Sequence, residues 1–212
     1  MSLTRYIIID KVNEVYLKVE ADADIRREIG QFFTFEVPGY KFMPQYRNRV
    51  WDGKIRLFSY ATGKIYTGLY PYIINWCKDN DVHVVDGTKI KHNKVDDKKV
   101  EDLIKALKLP FEVRDYQKAA FKYSVEQDRC LLVSPTASGK SLIAYLMVIF
   151  NLLRLKDTKQ DRILIIVPTT SLVEQLFKDF KDYGYNSERN IHKIYQGHDK
   201  ETTKRVIIST WQ

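Results

Sequence analysis

The segment Leu131-Leu-Val-Ser-Pro-Thr-Ala-Ser-Gly-Lys-Ser141 leaves the chain few folds to choose from. An apolar run stops at a loop of small residues, and a long apolar segment opens directly after it. Strand, loop and helix start in that order gather free backbone amides and the positive end of a helix dipole at one point, which suits the phosphates of a nucleoside triphosphate. Pro135, Thr136, Ala137, Ser138 and Gly139 would wrap the phosphates, Lys140 would reach the β- and γ-phosphates, and the Ser141 hydroxyl would ligate Mg²⁺. ATP and Mg²⁺ are therefore the expected cofactors, with Lys140 and Ser141 as the catalytic groups. Two positions depart from the general pattern: Ser134 stands where the first glycine is usual, and Ala137 where many such loops carry glycine. A chance Gly-Lys-Ser turn is the alternative, and the flanking strand and helix patterns argue against it.

Two patterns divide the rest of the chain. Residues 1–85 read as a small basic α+β domain. Tyr6–Ile9 and Val15–Val19 form a hairpin, Asp22 caps a helix carrying Ile25, Ile29, Phe32 and Phe33 on one face, and Lys54–Tyr60 with Lys64–Thr67 form a second hairpin. A helix containing Ile73, Ile74 and Trp76 and an edge strand at His83–Val85 complete it. Residues 86–110 read as a polar linker and a short helix capped by Asp97. From 111 to 212 strands alternate with helices, the mark of a parallel sheet. Here Cys130–Val133 is the expected first strand and Arg162–Val167 a strand covered on both faces. Ser171 and Glu174 form a capping box, and Arg205–Ile208 is a third strand.

The chain of 212 residues carries a net charge of +8, which favours a polyanionic partner. The charge concentrates between Lys41 and Lys64, where Lys41, Arg47, Arg49, Lys54, Arg56 and Lys64 outnumber the single acid Asp52. Phe42, Tyr46, Trp51, Phe58 and Tyr60 are interleaved with them. The cations can pair with phosphates. The aromatics could stack on bases, but Trp51, Phe58 and Tyr60 are expected in the core because a domain this small needs large apolar side chains. Nothing suggests base-specific readout. No apolar run is long enough to span a membrane and no secretory signal is visible, so a cytoplasmic location is expected. Cys77 and Cys130 read as buried free thiols, and His83, His92, His192 and His198 lack ligand-like spacing.

Several separated segments together resemble the superfamily-two DNA helicases and translocases, those of phage recombination and repair in particular. Arg114-Asp-Tyr-Gln117 is similar to their adenine-reading element, Ser134–Ser141 to their phosphate loop, Val167–Gln175 to a segment that meets the nucleic-acid backbone, and Ser209-Thr-Trp-Gln212 to a strand end preceding their acidic motif. The resemblance implies an incomplete first RecA-like lobe over 111–212, with adenine contacts from Arg114 and Gln117 and DNA contacts from Thr169, Thr170 and Thr210. It also implies ATP-driven remodelling of branched or forked duplex DNA by a monomer, in the host cytoplasm if the chain is phage-encoded. Such motors need an Asp-Glu motif and a second lobe, and neither precedes Gln212. The chain is therefore expected to be the N-terminal part of a longer protein, and by itself to bind nucleotide weakly without sustaining translocation. A restriction or chromatin-type translocase, a phosphate-loop kinase and a non-catalytic DNA-binding module remain alternatives.

Overall fold

The computed structural model describes residues 5–90, 94–127, 129–155 and 161–211; His92 and Gln212, named above, lie outside them. The chain divides into two compact units, residues 1–91 and 92–212.

In the first unit β1 (Tyr6–Lys11) and β2 (Tyr16–Ala21) form the expected antiparallel hairpin. Helix α1 (Ala23–Phe32), β3 (Thr34–Glu36), the short α2 (Pro44–Arg47), β4 (Lys54–Arg56) and β5 (Lys64–Tyr66) come next, followed by α3 (Tyr70–Asp79) and β6 (His83–Asp86). The main sheet runs β5-β2-β1-β6, with β6 parallel to β1, and β3 pairs with β4 in a separate ribbon. Strand alternation decides what is buried. Ile7, Ile9, Leu17 and Val19 point to one face and form a core with Ile25 and Ile29 of α1 and Ile73, Trp76 and Cys77 of α3. Phe33 joins that core, while Phe32 is half exposed.

The second expected hairpin forms only at its turn. Ser59 N donates to Lys64 O and Gly63 N to Ser59 O, both at 2.8 Å. Beyond the single bridge between Phe58 and Ile65 the two arms diverge, β4 to β3 and β5 to β2. Phe58 and Ile65 are both drawn into the core, and each arm completes its hydrogen bonds with a different neighbour. Of the aromatics expected inside, Phe58 is buried. Trp51 is partly buried, with its indole N–H donating to Lys54 O at 2.9 Å. Tyr60 is 50% exposed on the turn, beneath the Arg26 guanidinium.

The second unit contains α4 (Asp97–Leu107), α5 (Asp115–Glu126), α6 (Lys140–Arg154), β7 (Ile163–Val167), α7 (Thr170–Asp182), the short α8 (Ser187–Asn190), β8 (Ile191–Ile194) and β9 (Val206–Thr210). Its sheet runs β7-β9-β8 and is parallel throughout. Phe121, Leu146, Val173, Phe180 and Ile208 are fully enclosed in its core. Helix α4 is capped by Asp96, which accepts from Lys98 N at 3.2 Å, and Asp97 instead pairs with Lys122.

Three expectations are corrected here. Cys130–Val133 is not a strand: Leu131 and Val133 are 85% and 90% exposed, and Cys130 is exposed while Cys77 is buried. Hydrophobicity marks such a run as strand-forming, but a strand needs a neighbour to take its amides and carbonyls, and none of the described strands pairs with it. Strand β7 is covered on one face only, with Leu164 and Ile166 more than half exposed, whereas β9 is buried along Val206–Ile208. Finally, Thr169 rather than Ser171 caps α7, its Oγ1 accepting from Leu172 N at 3.4 Å. Glu174 does not reach back to the helix start. Lys193 of β8 donates to both its oxygens at 2.8 and 3.0 Å and Tyr195 donates a third hydrogen bond, and these charge-assisted contacts outweigh a capping box.

Candidate nucleotide and nucleic-acid sites

The Ser134–Ser141 loop ends where α6 begins, with Gly139 as the N-cap residue at φ 82°. Glycine is required there twice over. The left-handed conformation disfavours a side chain, and a Cβ would sit 2.2 Å from Gln117 Nε2. Ser134 is not a defect: its hydroxyl hydrogen-bonds Ser138 Oγ across the base of the loop, and its φ is not positive. Ala137 does adopt φ 63°, so the loop carries a strained alanine where glycine would be at ease. Pro135, Thr136 and Ala137 are exposed and Ser138 is buried. The Lys140 ammonium turns back on the loop, donating to Pro135 O at 2.7 Å and Ser134 O at 3.2 Å. Burial pushes the Tyr183 phenol up, and the nearby Ser141 hydroxyl opposes that rise.

Arg114, Tyr116 and Gln117 at the head of α5 close on this loop. Gln117 is buried: its Oε1 accepts from Arg114 N at 3.0 Å and its Nε2 donates to Ser138 O at 3.0 Å. Tyr116 donates to the same Ser138 carbonyl at 2.9 Å, and Arg114 donates to Tyr116 Oη at 3.3 Å. A cavity of about 560 Å³ lies between Arg114, Tyr116 and residues 132–138, within the usual range for small-ligand sites. Sequence reasoning picked out Arg114 and Gln117 and missed Tyr116, although it lies between them in the motif; its spacing gave no hint that its hydroxyl would reach across to the loop.

Thr169, Thr170 and Thr210 gather at the carboxyl edge of the parallel sheet. Thr210 ends β9 opposite Val167, the last residue of β7, and Thr169 and Thr170 follow directly. That edge is where open α/β sheets bind ligands. Thr170 is exposed and Thr210 half buried. The Thr169 hydroxyl is the helix cap and is already engaged by Leu172 N.

The basic stretch of the first unit bends around Arg56 and lines two grooves. Lys41, Arg47, Arg49 and Arg56 gather with Tyr46 and Trp51 around one of about 800 Å³; Lys54, Arg56 and Lys64 line the other. Tyr40 packs against Gly53, where a Cβ would lie 2.1 Å from the ring, and meets Tyr46 edge-on with centroids 4.7 Å apart, so the loop presenting Arg47 and Arg49 is pinned. Among the described residues the guanidinium groups of Arg47 and Arg49 have no ion-pair or hydrogen-bond partner, and the Lys41 ammonium lies only over the Tyr40 ring. Arg56 differs. Its guanidinium grips both carboxylate oxygens of Asp52 and holds that carboxyl at about 2. Lys54 leans toward Glu36 at 3.7 Å.

Comparison with known proteins finds two family models that match separate segments of the chain. Residues 10–86 match the family model for the N-terminal domain of DNA helicase UvsW, and residues 114–210 match that for DEAD/DEAH box helicases. The ATP-dependent DNA helicase uvsW of Enterobacteria phage T4 is 31% identical over 207 residues, covering 93% of this chain. The chain spans 40% of that relative's length. Two crystal structures of bacteriophage T4 UvsW superpose with TM-scores of 0.84 at 29% identity, over 97% of this chain and 75% and 43% of theirs.

Proposed function

We propose that this chain, which joins a segment matching the UvsW N-terminal domain to one matching the DEAD/DEAH-box domain, works as part of an ATP-dependent DNA helicase in recombination and repair. The observation that carries the reading is the Gly139-Lys140-Ser141 helix start beside a cavity lined by Arg114 and Tyr116.

The residues present fit a nucleoside triphosphate. The cavity is large enough, and glycine at 139 leaves room for Gln117 to brace the loop. Bound ATP supplies the phosphoanhydride whose hydrolysis drives movement, with Mg²⁺ carried on its phosphates. Lys140 would exchange two neutral carbonyls for phosphate oxygens, a stronger, charge-assisted contact. Ser141 would turn its hydroxyl from Tyr183 to the metal. Arg114, with Tyr116 beside it, would face the base; Gln117, expected to contact the adenine, has its amide oxygen and nitrogen committed to Arg114 N and Ser138 O, lies outside the cavity lining, and would brace the loop instead.

DNA would lie along Lys41, Arg47 and Arg49, with Lys54 and Arg56 as weaker contacts because acids already hold them, and along Thr169, Thr170 and Thr210. These are phosphate contacts and carry no sequence information. A branched or forked duplex as substrate and a monomer as working form extend the same reading, and the host cytoplasm as location follows from the relative's identity as a phage DNA helicase. Titration with a fluorescent ATP analogue tests it. Lys140→Ala should weaken binding by roughly 10- to 150-fold, the worth of a hydrogen bond to a charged group. Equal binding by the two proteins would reduce the loop to a structural turn and leave a DNA-binding module without a motor.

A further inference from the structure

We propose that the groove between α1 and the Ser59–Lys64 turn binds a single-stranded stretch of DNA, its bases stacked on Tyr16, Tyr60 and Tyr66 and its phosphates held by Arg27 and Lys64. The inference rests on the reading of the protein as one that acts on DNA, and it adds which form of DNA the first unit takes in this groove.

The groove is open along its length and measures about 1100 Å³. Three tyrosines line it. Tyr16 and Tyr66 face each other across the β2–β5 pairing with ring centroids 5.1 Å apart and planes 30° from parallel. Tyr66 is 45% exposed and Tyr60 50%. In a unit whose core is already filled by aliphatic side chains with Phe33, Phe58 and Trp76, Tyr60 and Tyr66 left open along a groove, with the half-buried Tyr16 backing Tyr66, are surfaces for something flat. Arg27 and Lys64 are exposed on the same groove, and among the described residues neither has an acidic partner; the Lys64 ammonium lies 5.9 Å from the Tyr16 ring. Aromatic faces beside free cations are the means by which proteins hold single strands, because bases in a duplex already stack on one another and cannot reach a ring. The Arg47–Arg49 groove differs. Its two arginines are free, but its aromatics Tyr46 and Trp51 are partly buried, as suits a surface that meets phosphates alone. Both grooves include Arg56, so they adjoin as the duplex and single-stranded arms of a fork do.

Fluorescence anisotropy with labelled oligothymidine and with a labelled blunt duplex, on the 212-residue chain, tests the proposal. Tyr66→Ala should weaken oligothymidine binding by roughly 5- to 150-fold, the worth of one aromatic–base stack, while Tyr66→Phe retains it and duplex affinity is unchanged. Tyr60→Ala, on an exposed turn, should act in the same direction and serves if Tyr66→Ala does not fold. Unchanged oligothymidine binding in a folded variant overturns the proposal, as does an equal loss for both DNA forms. Either result leaves ATP binding and duplex affinity, measured on the same preparation, as the separate test of the helicase reading.

Discussion

Asp52→Asn should make DNA binding tighter and more salt-sensitive. Arg56 lines both grooves, yet its guanidinium is committed to the Asp52 carboxylate, gripped through both oxygens. Three cations around the neighbouring groove, Lys41, Arg47 and Arg49, have no acidic partner among the described residues. If each neutralises one duplex phosphate, the logarithm of the binding constant should fall with the logarithm of salt at a slope of about −2.7, and freeing Arg56 should steepen it to about −3.6. Between about 50 and 200 mM salt the parent protein would then lose about 40-fold in affinity and the variant about 150-fold. The exchange leaves the fold alone, because the carboxamide oxygen of the new side chain can still accept from Lys54 N, which the Asp52 carboxylate meets at 3.1 Å. Acid does not mimic the variant. Arg56 depresses the Asp52 carboxyl to about 2, so the pair is intact above the ordinary carboxylate range and is lost only as pH falls through about 2. Affinity measured from mildly acidic to neutral pH should therefore show no step from this residue. The assay is anisotropy of a labelled duplex across a salt series. An unchanged slope in Asp52→Asn would refute the claim that Arg56 is held back by its neighbour, and an unchanged slope in the Arg47→Ala, Arg49→Ala pair would remove the groove from DNA binding altogether.

Ala137→Gly should stabilise the second unit by up to about 1 kcal/mol in urea denaturation, since relief of a left-handed alanine exceeds the added freedom of the unfolded chain; a destabilised variant would contradict the strain assigned to the loop. Phe180→Ala should cost about 3–5 kcal/mol by the same measurement, because Phe180 is fully enclosed and packs edge-on to Tyr145 at 5.2 Å.

What the sequence could tell depended on whether a feature is local. The alternation of Ile7, Ile9, Leu17 and Val19, the long apolar run of α6 and the Gly-Lys-Ser helix start each lie within a short stretch of chain, and each appears in the fold as the pattern predicts. Cys130–Val133 failed because its apolar residues are local and its strand partner is not. The Thr169 cap was misplaced because the choice between Thr169 and Ser171 turns on Glu174, and Glu174 is taken by Lys193 and Tyr195 from a later part of the chain. Tyr16 was invisible as a groove residue because it meets Tyr66 only once β2 has paired with β5, and Arg27 because α1 must first pack beside the turn that carries Lys64.

The same limit governs the charge. Counting cations between Lys41 and Lys64 locates a basic surface correctly but treats its six members as equal. Which of them can meet a phosphate depends on where two acids are engaged, Asp52 on Arg56 and Glu36 on Lys54. Exposure does not rank them either, since Arg56 and Arg47 are both open to solvent. What separates them is counterion release: a cation already neutralised by a carboxylate has no condensed ion to displace from DNA without first losing that carboxylate, so it adds to net charge and not to the salt slope. The binding strength of a basic patch thus follows the number of its uncommitted cations, and for this surface those are Lys41, Arg47 and Arg49 on one side of Arg56 and Arg27 and Lys64 on the other.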